Sequence, residues 1–307
     1  MMNLLAGFLA QVLHVALVAV AAPTITGAMS WLHARFTGRR GPPLLQPWRD
    51  LRRLLRKQIV VAESASVATE VAPTVSLAAI AVAATLVPSF TLGMVFGPFA
   101  DMVVIAGLLL FARAATALAA MDAGVALGGV GASRAMLLGC GSEAAFLFAA
   151  FVFALLAGSS DVDAIATTLR DADAIWPTGA LLAATAIALT ALVDGEVLRS
   201  ETTLLELAGI DLALIEIAGA LRLLVWFNLI GAVLLPFGMA DVSAGPISWL
   251  IGLACWLART TLFTVVLAGL RVAHGRLRLP RALGMLGVAM LLGALAIIAL
   301  LAHMRTA

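Results

Sequence analysis

Six ionisable side chains stand inside long apolar runs: Arg113, Glu143, Asp211, Glu216, Arg222 and Arg259. Five more acids, Asp122, Asp194, Glu196, Glu201 and Glu206, fall at or near the ends of such runs. An ionised group deep in lipid costs about 2.5–3.5 kcal/mol on insertion scales, so it normally faces a protein interior or a water path and finds a partner. Acids at several depths with arginines among them suit proton transfer. Burial drives a carboxyl toward neutrality and a nearby guanidinium pulls it back, so small rearrangements change proton occupancy. Glu216 and Arg222 are six apart and do not meet on one helix face. They and Glu206 can reach one interior from successive turns. A structural reading stands beside this one, in which Glu143 and Glu216 only hydrogen-bond to neighbouring helices. Arg259 can be read as a snorkelling residue directed to the nearer end of its span. His14 reads as a satisfied packing residue.

The elements that must hold these groups follow from composition. Of 307 residues, 63% are hydrophobic and 12% charged, with a mean hydropathy of +1.10. Soluble chains carry about 25% charged residues. The reading is all-α: a polytopic transmembrane helical bundle of about eight spans, forming a single membrane domain over 1–307. The runs are continuous rather than alternating, which excludes a β-barrel. They cover roughly 4–31, 71–93, 98–121, 134–158, 177–194, 212–237, 246–270 and 282–303. Loops on one side then carry fourteen of the nineteen Arg and Lys residues, and loops on the other carry Arg170 and Arg305 with a cluster of aspartates. The positive-inside rule places the basic side in the cytoplasm and both termini outside. A bacterial or archaeal inner membrane is the expected location.

Residues 32–70 form the longest loop. Within it, GRRGPPLLQPWRDLRRLLRKQ at 38–58 holds seven basic residues: Arg39, Arg40, Arg49, Arg52, Arg53, Arg56 and Lys57. Trp48, Leu51, Leu55 and Ile59 share one face at helical spacing, which predicts an amphipathic helix lying in the membrane surface. Cys140 and Cys255 show no CxxC spacing, and the four histidines show no ligand spacing, so no cofactor is expected on this chain. Nucleotide-binding glycine patterns, a nucleophile elbow and a signal peptide are not found. GGVGAS at 128–133 reads as a tight turn. DVDAIATTLRDAD at 161–173 reads as a solvated loop without the glycine and terminal Glu of a calcium loop.

The basic segment resembles the stretch after the first span in membrane subunits of formate hydrogenlyase and hydrogenase-4, relatives of subunit 1 of NADH–quinone oxidoreductase. Arg113, Asp122, Gly124 and GASR at 131–134, then Glu143, look like that family's passage from span 3 into span 4. LLELAGIDLALIEIAGALRLLVWFNLI at 204–230 resembles its acidic loop and following helix, and PFG at 236–238 resembles its Pro-Trp-Gly exit. Two departures stand out. Glu143 is followed by Ala144 where the family usually has Pro, and the acidic loop is reduced to DGEVLRSETT at 194–203.

The resemblance implies a complex-I subunit-1-like fold and a role as anchor and proton entrance in a membrane-bound NiFe hydrogenase complex. It carries over a proton path of Glu143, Glu201, Glu206, Asp211 and Glu216, with Arg113, Asp122, Arg134 and Arg222 as neighbours. Arg39, Arg40, Arg49, Arg52, Arg53 and Arg56 would dock partner subunits. Implied partners are hydrogenase-like large and small subunits, an iron–sulfur subunit and antiporter-like membrane subunits, besides the bilayer; nucleic acid is not implied. The NiFe centre and iron–sulfur clusters would sit on those partners. A quinone-reducing complex is a variant of this reading. A secondary transporter and a purely structural anchor are the competing classes, although no internal repeat supports the transporter.

Overall fold

A computed structural model describes residues 2–60, 62, 64–171, 177–197, 207–275 and 278–306, with backbone alone at 2–4, 196–197 and 304–306. The chain is a bundle built around one helix. In order, the helices are α1 (Met2–Phe36), α2 (Gln46–Leu54), α3 (Val67–Leu86), α4 (Met102–Asp122), α5 (Ala126–Ala157), α6 (Val162–Asp171), α7 (Thr178–Val197), α8 (Gly209–Leu234), α9 (Pro246–His274) and α10 (Leu279–Thr306). All but α2 and α6 are long and apolar enough to cross a membrane, giving eight spans as the hydropathy reading predicts. The chain is a multi-pass membrane protein.

The axis is α8, with 83% of its most apolar stretch buried, against 28% for α10 and 33% for α1 and α9. It packs against α1, α2, α3, α6, α7 and α9. Helices α5, α7 and α10 pack mutually on one side, and α4 bridges α3 to α5. Every residue from Ala220 to Val233 is buried, so this helix is enclosed on all sides, and its two polar members besides Trp226, Arg222 and Asn228, both find partners there.

Loops gather at two ends. At the basic end, α2 lies against α1 and α8, burying Leu51 and Leu54 with Ala213. Gly27 makes this approach possible, since a Cβ there would lie 2.0 Å from the Leu44 carbonyl oxygen. The helix is shorter than the expected one. The helix stops at Leu54, and Trp48, Leu55 and Ile59 are exposed. Pro47 stands in the first turn, and Leu51 and Leu54, three residues apart, face the bundle. Asp122, at the end of α4, accepts from Ser66 N (2.6 Å), Ser66 Oγ (2.7 Å), Thr69 N (3.2 Å) and Thr69 Oγ1 (2.6 Å), capping the start of α3.

At the opposite end two short strands pair in parallel, Thr91–Leu92 with Ala240–Asp241. Here the segment read as a solvated loop is α6, whose Val162, Ile165, Ala166 and Leu169 are buried. It is tied down by an antiparallel bridge between Asp101 and Asp161. Likewise GGVGAS is not a turn but part of the first turns of α5. Gly128 and Gly131 are buried there, and Ala132 packs on Ala117 and Ala120, because small residues let helices close on each other.

Candidate functional site

Three spans converge on one carboxylate. Asp194, near the end of α7, is fully buried. Arg222 of α8 binds it through Nε (2.6 Å to Oδ2) and Nη2 (3.2 Å to Oδ1). Trp226, one turn further along α8, donates Nε1–H to Oδ2 at 2.6 Å. Arg113 of α4 forms an ion pair with Oδ1 through Nη2. Both guanidiniums also reach backbone, Arg222 Nη1 to Leu109 O at 2.9 Å and Arg113 Nη1 to Ala135 O at 3.4 Å. Gly139 of α5 gives Arg113 its channel, as a Cβ there would meet Arg113 Cδ at 2.4 Å. Trp226 packs edge-to-face with Phe146 of α5, with centroids 5.4 Å apart and planes at 80°.

Glu143 completes the centre. It lies on α5 one turn before Phe146 and interacts electrostatically with both Arg222 and Arg113. Its Oε1 is buried and accepts no hydrogen bond. The two acids therefore differ. Asp194 accepts from Arg222 and Trp226 and is ion-paired with Arg113, whereas Glu143 keeps a buried lone pair open to a proton. Beside the centre lies a cavity of about 300 Å³, whose charged lining residues are Arg113, Arg222, Arg271 and Glu216. The rest of its lining is mostly apolar and comes mainly from α1, α3, α4 and α8, with Pro47 and Leu51 of the surface helix.

Residues 9–302 match the family model described as NADH dehydrogenase. The chain belongs to the NADH dehydrogenase family. It is 31% identical over 231 residues to hydrogenase-4 component C of Escherichia coli (strain K12), covering 71% of this chain and 72% of that protein. It is 28% identical over 273 residues to formate hydrogenlyase subunit 4 of the same organism, covering 84% and 87%. Its fold matches a chain of the membrane-bound sulfane sulfur reductase, an archaeal respiratory membrane complex, with a TM-score of 0.82 and 19% identity over 95% of this chain and 99% of that one. These findings agree with the family resemblance carried by the basic segment and the stretch from Arg113 to Glu143.

Within this NADH dehydrogenase-family chain the predicted residues scatter. Arg113, Arg222 and Glu143 meet at the centre. Glu216 does not. It is exposed at the cavity side, near Asp50 and Arg53 of the surface helix. Asp211 is buried at the start of α8 near Glu70 of α3. Asp122 is engaged in capping α3, and Arg134 is exposed on α5. Glu201 and Glu206 lie outside the described residues. Arg39, Arg40, Arg49, Arg52, Arg53 and Arg56 are all exposed at the basic end. Among the described residues no group of three His, Cys, Asp or Glu is placed to hold a metal ion.

Sequence reasoning missed the residue at the middle. Asp194 counts in the sequence only as a span-end acid, because hydropathy falls off there. In the structure α7 continues to Val197, and the acid is enclosed by α4 and α8. Arg259 is also misread. It does not snorkel toward the basic end but turns the other way, to carbonyls of Gly231, Leu235 and Ser89. Helical side chains lean toward the helix N-terminus, and α9 starts at the far end. His14 is the packing residue it is read as, with Nδ1 2.7 Å from Ser89 Oγ and Nε2 2.9 Å from Ala84 O.

Proposed function

We propose that this chain is the anchoring, proton-path subunit of a complex-I-like, membrane-bound hydrogenase complex. The observation that carries the reading is Glu143, with a buried, unbonded oxygen beside two arginines that share Asp194. Electron transfer in a peripheral partner changes the charge at the basic end. The Arg113–Asp194–Arg222 centre relays that change, and Glu143 takes up or gives up a proton in response. Glu216, at the cavity side, is the supplying acid, and Glu201 and Glu206 precede it.

The exposed arginines Arg39, Arg40, Arg49, Arg52, Arg53 and Arg56 dock the peripheral subunits. These are hydrogenase-like large and small subunits and an iron–sulfur subunit, which hold the NiFe centre and the clusters. Antiporter-like membrane subunits receive the protons. The basic end faces the cytoplasm and both termini face outward, in accord with the distribution of arginines.

The decisive experiment measures proton translocation and hydrogenase turnover together in the intact complex carrying Glu143→Gln and Glu216→Gln. Turnover without translocation supports the reading, and unchanged translocation overturns it. The cavity favours a second reading, a quinone-reducing complex, because a mostly apolar chamber with three arginines in its lining suits a lipid-soluble ring with polar oxygens. Reduction of an added quinone, lost on narrowing the cavity with Ala218→Leu, would select it.

A further inference from the structure

The surface helix α2 turns two different flanks to its surroundings. Leu51 and Leu54 are buried against α8. At about 100° per residue, Trp48 and Leu55 fall about 40–60° to one side of Leu51. Arg52, Arg56 and Arg49 follow on that same side, at about 100–160°. Leu55 and Arg56 continue the winding past the end of the helix, their N–H groups bonded to Leu51 O (2.9 Å) and Arg53 O (3.2 Å). Leu54 and Asp50 fall on the other side, and Arg53 pairs with Asp50 at 3.3 Å. Glu216 of α8 lies near this second flank. Charges of both signs therefore meet on one flank, and on the other three arginines stand without an acid.

The arginine flank is also apolar at its base. Trp48 is 39% exposed and Leu55 50%, and Leu44 and Leu45, just ahead of the helix, are 48% and 54% exposed. Their level in the molecule explains this. Leu44 lies against Gly27, and Gly27 still belongs to the apolar run of the first span. The helix thus starts where an acyl layer gives way to headgroups. An indole and leucines bordered by arginines match that boundary: the apolar groups enter the acyl layer and the guanidiniums reach outward. The sign of the charge selects the lipid. Gly38–Gln58 holds seven basic residues and one acid, Asp50, which sits on the opposite flank.

We propose that Trp48, Leu55 and the stripe of Arg49, Arg52 and Arg56 form a binding surface for anionic phospholipid in the leaflet at the basic end. The planar fork of a guanidinium holds a phosphate through two hydrogen bonds, and the indole covers the chain beneath it. The inference narrows the docking reading, since it leaves Arg39, Arg40 and Arg53 to the peripheral subunits. It stands apart from the proton path through Glu143.

The full-length chain is reconstituted into phosphatidylcholine vesicles carrying a rising share of brominated phosphatidylglycerol or of brominated phosphatidylcholine. Bromine quenches tryptophan on contact, and subtracting the signal of Trp48→Phe isolates Trp48. Native Trp48 is expected to be quenched at a lower share of the anionic lipid, with about a fivefold preference for each arginine engaged. The triple variant Arg49→Gln, Arg52→Gln, Arg56→Gln is expected to erase the preference. The variant Arg39→Gln, Arg40→Gln, Arg53→Gln loses the same charge and is expected to keep it. All six side chains are exposed, so neither variant opens a hole in the core. Equal quenching of the native protein by the two lipids overturns the proposal. So does an equal loss of preference in the two variants, which assigns it to net charge alone. A mild-detergent pull-down separates the docking reading. If the first variant keeps its lipid preference and loses the peripheral subunits, the stripe belongs to a protein partner and the lipid surface falls. If the second variant keeps the peripheral subunits while the first loses its lipid preference, the lipid surface stands and the docking reading falls.

Discussion

Arg222 grips Asp194 with two nitrogens at once, Nε at 2.6 Å and Nη2 at 3.2 Å, one to each carboxylate oxygen. This forked pairing of a planar guanidinium and a planar carboxylate fixes the rotation of both side chains. It joins α7 to α8, and Arg113 joins α4 to the same acid. The centre is therefore a three-helix junction as well as an electrostatic device.

Removal of the shared acid should be the harshest single change in the chain. Asp194→Ala strips two buried guanidiniums of the carboxylate they share, a loss of about 3–5 kcal/mol for a broken buried pair. Thermal unfolding of the detergent-solubilised protein should show a large drop in Tm. Asp194→Glu, which keeps the charge, should recover part of it.

Trp226→Phe retains an aromatic ring against Phe146 and removes the Nε1–H donor to Asp194. A hydrogen bond to a charged group contributes about 1.5–3 kcal/mol. The variant should fold with a lowered Tm, and a double-mutant cycle with Asp194→Asn should show coupling between the two positions.

Gly139→Ala should damage the centre without touching a charge. The added methyl would lie 2.4 Å from Arg113 Cδ, so either Arg113 or α5 must move. Overpacking of this kind costs about 1–3 kcal/mol. In the assembled complex it should reduce proton translocation more than hydrogen turnover, which paired assays will reveal.

At the end opposite the basic loops, burial pushes the Asp163 carboxyl up to about 6, Asp161 and Asp241 add to the rise, and the Gly93 N–H opposes it at 2.8 Å. The folded state thus holds this proton more tightly than the unfolded chain, whose Asp titrates near 3.9. The stabilising contribution is complete below about pH 4 and lost as pH rises through about 6. Asp163→Asn should remove this part of the pH dependence, readable as a flatter plot of Tm against pH between those limits.

The spans were legible because a membrane helix announces itself by the length of an apolar run, and Arg113, Glu143 and Arg222 stood out as charges inside such runs. Asp194 did not, because it falls where its run fades and its partners come from α4 and α8, far away in sequence. The need was nevertheless visible: two arginines in apolar helices require an anion. For α6 the signal was present and went unused, since Val162, Ile165, Ala166 and Leu169 fall at i, i+3, i+4 and i+7. The glycines of 128–133 misled because the same residue that permits a turn also permits two helices to touch.

The strand pair between Thr91–Leu92 and Ala240–Asp241 joins segments separated by almost half the chain. During synthesis the first strand must therefore wait, unpaired, until α8 has been made and threaded. The rim at that end closes late, and a chain that stops before residue 240 can never close it.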